Sequence, residues 1–147
     1  MTVLPDSVRD FLAAQRVAHL ATADKQAAPH VVPVCFVIAQ GTLYTTIDEK
    51  PKRKSPTELR RLRNILENPY VCVVVDRYDE DWALLGWVML HGTAEVLMNG
   101  GEHDDVQGLL RARYPQLRPM AMHQYPVIAL RIRRWTSWGN LSVPGQV

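Results

Sequence analysis

The sequence predicts a mainly β, α+β fold: an antiparallel barrel, closed or split, with short helices plugging its ends. Runs rich in β-branched and small apolar residues follow one another across short polar or glycine-containing turns, the pattern of an antiparallel meander. The order helix, three strands, helix, two or three strands, helix, last strand suits such a barrel. A chain of 147 residues, 47% hydrophobic and 22% charged, fits one domain over residues 1–147 and leaves no room for a second.

The first element follows Pro5-Asp6, where Val8, Phe11, Leu12 and Gln15 share one face of a short amphipathic helix. Val17 to Ala23 and Pro29 to Ile38 read as strands separated by the polar Asp24-Lys25-Gln26, and Gly41 precedes a third strand, Leu43 to Ile47. Ser55-Pro56-Thr57-Glu58 is a capping box with proline at the first helical position, so a helix is expected to start there. Its apolar face is Leu59, Leu62, Ile65 and Leu66, and Asn68-Pro69 stops it.

Tyr70 to Asp76 reads as the next strand, followed by a charged loop, Arg77 to Asp81. Trp82 to Met98 is β-prone and splits into one or two strands with a bulge or bend at Gly86 and Gly92. After the Asn99-Gly100-Gly101 turn, Glu102 to Tyr114 places Val106, Leu109, Leu110 and Arg113 at helical spacing, with Gly108 inside it, and ends at Pro115. Pro126 to Trp135 alternates Val127, Ala129, Arg131 and Arg133 against Ile128, Leu130 and Ile132, a half-buried strand, and the tail after Asn140 is expected to be loose.

Charge and composition narrow the function classes. Seventeen Lys and Arg against fifteen Asp and Glu leave a formal charge of +2, so a basic function needs clustering, and nucleic acid is not the default partner. No charged-then-apolar leader opens the chain and no apolar run approaches the roughly 18 residues of a membrane span, so a cytoplasmic protein without membrane attachment is expected. Cys35 and Cys72 each sit inside an apolar run and read as small core residues, not as a disulfide or metal pair.

The basic cluster is Lys50, Lys52, Arg53, Lys54, Arg60, Arg61 and Arg63, seven of the 17 cations, offset nearby by Glu58 and Glu67. It falls where a strand ends and a helix begins, so free N–H groups and the helix dipole add to its charge. That describes a phosphate or polycarboxylate site, or else a solvated basic helix face. Thr45 and Thr46 precede the cluster, and strand alternation turns one of their hydroxyls toward the same pocket, where it can meet a phosphate oxygen or simply serve the strand. Trp82 and Trp87 suit the core or a dimer interface, while Trp135 and Trp138 lie beside Arg133 and Arg134, where aromatics can stack on a flat ring. No nucleophile, zinc, Walker or dinucleotide motif is visible, and the five histidines form no local metal spacing. An enzyme of this kind leaves its chemistry to a cofactor.

The ordered segments resemble a family, the pyridoxamine-phosphate-oxidase-like split β-barrel flavin and deazaflavin oxidoreductases. The residues that carry the resemblance are Ala18-His19-Leu20-Ala21-Thr22, Pro29-His30-Val31-Val32-Pro33-Val34-Cys35-Phe36 and Gly41 to Asp48. Leu62-Arg63-Asn64-Ile65, Asn68-Pro69-Tyr70-Val71 and Trp87 to Ala94 continue it, so that it covers about residues 5 to 138. Asp48 to Lys52, Leu59 to Ile65 and Asp76 to Trp82 look like an actinobacterial-type branch that uses the deazaflavin coenzyme F-420.

The resemblance implies an FMN-binding type of split barrel and a homodimer with two interface sites, each built from both chains. Thr45, Thr46, Lys50, Lys52, Arg60 and Arg61 would hold the cofactor phosphate and anionic tail, Val32, Pro33, Val34 and Cys35 would lie along the tricyclic ring, and the partner chain would offer Trp87 or Trp138. Arg131-Ile132-Arg133 lacks the histidine of the Arg-x-His substrate motif of true pyridoxamine phosphate oxidases, and the Pro51 to Pro56 segment is longer than family loops. The leading expectation is therefore hydride transfer from reduced coenzyme F-420 to a flat, conjugated small molecule, with FMN as the alternative cofactor. A non-catalytic cofactor or haem carrier would need His19 or His30 as an axial ligand, and a nucleic-acid module would need a stripe from Lys50 to Arg63 with the C-terminal arginines.

Overall fold

The computed structural model describes residues 2–47 and 59–144. Its elements are α1 (Asp6–Ala14), β1 (Ala18–Ala23), β2 (Pro29–Val34), β3 (Val37–Ala39), β4 (Thr42–Thr46), α2 (Arg60–Glu67), β5 (Tyr70–Arg77), β6 (Gly86–Leu97), α3 (Gly101–Arg113) and β7 (Val127–Gly139). Short 3-10 turns at Trp82–Leu84, Pro115–Leu117 and Met122–Gln124 complete the described residues. The strands form a seven-stranded sheet in the order β2-β1-β5-β6-β7-β4-β3, antiparallel at every pairing. It curls into a split β-barrel.

Strand alternation builds the interior. Ala18, Leu20 and Thr22 of β1, Val71, Val73 and Val75 of β5, and Val88 and Leu90 of β6 all point inward and are buried. Phe11 and Leu12 of α1 and Leu62 and Ile65 of α2 close on this core. A second cluster lies outside the barrel wall, where Val106 and Leu110 of α3 pack with Tyr114, Met122, Val127 and Ala129. Val127 to Leu130 are consequently buried on both faces, where the sequence predicts a half-buried strand. Ile128 and Leu130 fill the barrel while Val127 and Ala129 meet α3.

Several boundaries differ from the sequence expectation. The run Pro29 to Ile38 is two strands, broken at Cys35-Phe36, where the chain turns a corner. The run Trp82 to Met98, expected as one or two strands with a bulge or bend at its glycines, is one strand, β6, that starts only at Gly86 and has a bulge between His91 and Gly92. There a Cβ on Gly92 would lie 2.0 Å from the Arg131 carbonyl oxygen, so only glycine allows β6 and β7 to approach so closely. Leu59 is extended and α2 starts at Arg60, while the Ser55 to Glu58 capping box lies outside the described residues. Leu66, assigned to the apolar face of that helix, is 75% exposed.

The segment after Asn140 is anchored. Arg77 donates from Nη2 to the Asn140 carbonyl at 2.7 Å, from Nη1 to the Ser142 carbonyl at 2.6 Å and from Nε to the Leu84 carbonyl at 2.9 Å. Through Ser142 the tail, expected to be loose, is thus held to the strand end and the 82–84 turn by one guanidinium. The two cysteines form no disulfide and are half-buried, where the sequence predicts core residues: Cys35 sits at the β2–β3 corner against the second cluster, and Cys72 faces outward between Val71 and Val73.

Candidate functional site

The end of β2, the end of β4, the first turn of α2 and the residue before β1 converge on a cleft of about 150 Å³. Val17, Pro33, Val34, Cys35, Thr46, Arg61 and Leu117 line it. Its placement follows from local rules. Thr45 and Thr46 alternate, so Thr45 turns into the core, 1% exposed with its hydroxyl unpartnered, and Thr46 turns to the cleft. Arg61 enters from the first turn of α2.

The corner that carries Cys35 is fixed from a distance. The Tyr114 hydroxyl accepts from the Phe36 amide at 3.1 Å, and its own proton faces the carbonyls of Phe36 and Arg16, each at 3.0 Å. Phe36 is fully buried under the Arg113 guanidinium, 4.5 Å from its ring centre. Leu117 reaches the cleft through the 3-10 turn that follows α3.

The electrostatics favour an anion. Arg60 and Arg61 open α2, Arg63 follows, and its first turn holds no acid, so the dipole and side-chain charges add. His30 on β2 registers this field: burial chiefly, then the charges of Arg61 and Arg60, lower its imidazole pKa and keep it neutral.

Of the residues singled out by sequence, the structure brings Pro33, Val34, Cys35, Thr46 and Arg61 into the cleft, with Arg60 exposed beside it. Val32 packs toward the core instead, and Lys50 and Lys52 lie outside the described residues. Trp87 and Trp138 do not line the cleft; they are register partners across β6 and β7 on the outer face of the sheet. His19 and His30 point to opposite sides of the wall, His19 outward with its Nδ1 3.6 Å from Asp76, His30 inward beside Thr22. Among the described residues, no three His, Cys, Asp or Glu side chains gather as a metal site would require.

Sequence reasoning missed Tyr114, Leu117 and Gln107, the last of which donates to the Thr46 hydroxyl at 2.9 Å. The buried positions of α3, His103, Val106, Gln107 and Leu110, recur at helical spacing and could have flagged Gln107 as an inward polar residue. A larger hollow of about 370 Å³ between α1 and β3 has its main cation, Arg113, already bonded to the carbonyls of Leu12 and Ala13. Its lining is structural.

The outer face of β2, β1, β5 and β6 carries Val31, Ala21, Cys72, Val74, Met89 and Trp87, continued on β7 by Trp138. Val31 is 63% and Trp138 54% exposed, on a face that also carries His19, Asp76, His91 and Arg134. Burial pushes the Cys72 thiol pKa up, and burial with Arg134 pushes that of His91 down, so neither group carries charge at neutral pH.

The chain thus combines a split barrel, a cleft at the corner of β2 and a basic helix start beside that cleft. Residues 4–139 match the family model described as pyridoxamine 5'-phosphate oxidase, and the chain belongs to that family. It is 32% identical over 133 residues to the 5a,11a-dehydrotetracycline/5a,11a-dehydrooxytetracycline reductase of Streptomyces rimosus, covering 90% of this chain and 82% of that protein. Among solved structures, an F-420 reductase superposes with a TM-score of 0.67 at 22% identity, covering 90% of this chain and 98% of that one. The haem storage protein HutZ of Vibrio cholerae superposes with a TM-score of 0.70 at 17% identity, covering 94% and 95%. No helix among the described residues is long and apolar enough to cross a membrane.

Proposed function

We propose that the protein is a homodimeric oxidoreductase that uses coenzyme F-420 to reduce a flat, conjugated small molecule, with FMN as the alternative cofactor. The observation that carries the reading is the cleft itself: an apolar wall of Pro33, Val34 and Cys35 meets a hydroxyl at Thr46 and a guanidinium at Arg61. Those residues fit a planar ring with an anionic appendage, the ring against the wall and the anion at Arg61 and Arg60, and Lys50 and Lys52, outside the described residues, add positive charge nearby in the sequence for a longer tail. The 32% identical relative is named as a reductase of a polycyclic conjugated compound, which favours the same reaction class.

The cleft also argues for two chains. Small-molecule sites occupy about 300–1,000 Å³, whereas this one holds about 150 Å³. One protomer would supply half a site, and the mixed face bearing Trp87 and the exposed Val31 and Trp138 is the surface through which a second copy would bring the other half. When bound, the reduced deazaflavin supplies a hydride. The chain's residues orient the ring, exclude water and neutralise the tail, with no obligatory acid or base among them.

Ligand-free protein titrated separately with coenzyme F-420 and FMN, at low and high salt, tests this. Selective, salt-sensitive binding of the deazaflavin is the expected result. Preference for FMN moves the assignment to the alternative cofactor. Binding of neither overturns the reading, and a Soret band on titration with haemin would then favour a haem carrier.

A further inference from the structure

We propose that Gln107, on α3, is a positioning residue for the cleft: it fixes the Thr46 hydroxyl as a hydrogen-bond acceptor toward whatever group the cleft holds. The inference rests on the reading of that cleft as the cofactor site and says which part of the ligand Thr46 meets. Gln107 is 5% exposed, and its side-chain nitrogen lies 2.9 Å from Thr46 Oγ1, 2.9 Å from the Met122 carbonyl and 3.3 Å from the Tyr125 carbonyl.

The orientation of the amide is forced. Two carbonyl oxygens accept and cannot donate, so the NH2 end must face them, and that same end faces Thr46. Tyr125 is itself held, because its carbonyl also lies 2.7 Å from His103 Nε2. The NH2 has two N–H bonds for three oxygens: they go to the two nearest, the Met122 carbonyl and Thr46 Oγ1, each at 2.9 Å, while the Tyr125 carbonyl, farther away at 3.3 Å, already accepts from His103. The Thr46 hydroxyl passes its single proton to the Pro126 carbonyl at 3.1 Å.

With the proton and one lone pair engaged, Thr46 has one lone pair left among the described residues. A phosphate oxygen brings no proton to it, whereas a ring N–H or a hydroxyl does. The Thr46 position thus selects for a donor group, and the anion falls to the arginines of α2. Gln107 bears a cost for this role, since its Oε1 is buried without a partner. An apolar side chain of similar size would avoid that cost, so packing alone does not account for a glutamine here.

The test combines Gln107→Met, Thr46→Val and the double variant. In ligand-free, isotope-labelled protein, side-chain couplings at Thr46 should report one rotamer in the parent and averaging among rotamers in Gln107→Met. In titrations with coenzyme F-420 and FMN, each single variant should weaken binding of the preferred cofactor about three- to tenfold, and the double variant no more than Thr46→Val alone. A single Thr46 rotamer in Gln107→Met, or losses that multiply in the double variant, would overturn the proposal. Should the parent bind neither cofactor, the reading of the cleft fails, while the rotamer measurement still decides the role of Gln107. Gln107→Asn, which keeps the amide but falls one methylene short of Thr46, provides the same readouts if the methionine variant does not fold.

Discussion

Glu102→Gln isolates one ion pair that ties the start of α3 to the barrel wall. Arg131 on β7 donates to both carboxylate oxygens of Glu102, at 2.5 and 3.0 Å, and the Tyr44 hydroxyl donates to Oε2 at 2.5 Å. The hydrogen bonds from Arg131 first, then Tyr44, hold the Glu102 carboxyl down from 4.5 to about 2. At about 1.4 kcal/mol for each tenfold change in proton affinity, a fully shielded pair would contribute about 3 kcal/mol. The Glu102 side chain is, however, 41% exposed, and solvent screening reduces the expectation to about 1 kcal/mol. The folded protein binds this proton more weakly than the unfolded chain does, so the contribution is fully present above pH 4.5 and is lost as pH falls toward about 2. Thermal melts of parent and Glu102→Gln should differ by about 2–4 °C at pH 7, and the gap should narrow below pH 4.5. A gap that stays constant down to pH 3, or no gap at pH 7, would refute the reasoning.

Two glycines should respond in opposite directions to the same change. Gly92→Ala forces a Cβ to 2.0 Å from a backbone oxygen of β7, so melting should show a loss of about 3 kcal/mol or more, or no folded protein. Gly108→Ala, inside α3 with nothing within 4 Å of the new methyl, should stabilise by about 0.5–1 kcal/mol. Val31→Lys, on the uncovered face where Val31 is 63% exposed, should leave the fold of one chain intact and shift sedimentation from dimer to monomer; an unchanged sedimentation profile would remove this face from the interface.

What the sequence made legible, and what it did not, follows from how far apart the cooperating residues lie along the chain. Alternation in β7 is a property of adjacent residues, and Ile128, Leu130 and Ile132 fill the barrel on one face as the pattern requires. The break at Cys35-Phe36 carries no local mark after Pro33; it is made by a tyrosine hydroxyl 78 positions later. The same division runs through the cleft. Arg60 and Arg61 stand out in the sequence as part of a basic cluster at a helix start, whereas Pro33, Val34 and Cys35 are nominated only by the family resemblance. For Thr45 and Thr46 the period of two said that only one would face the cleft, but choosing between them needs the register with β7, where Thr45 opposes the core residue Ile128 and Thr46 opposes Val127 beneath α3. Once that register is set, Thr46 comes within reach of Gln107, 61 positions away. A local pattern can therefore nominate the charged end of such a cleft, whereas the group that fixes the donor or acceptor character of its hydroxyl belongs to the strand pairing and the helix laid across it.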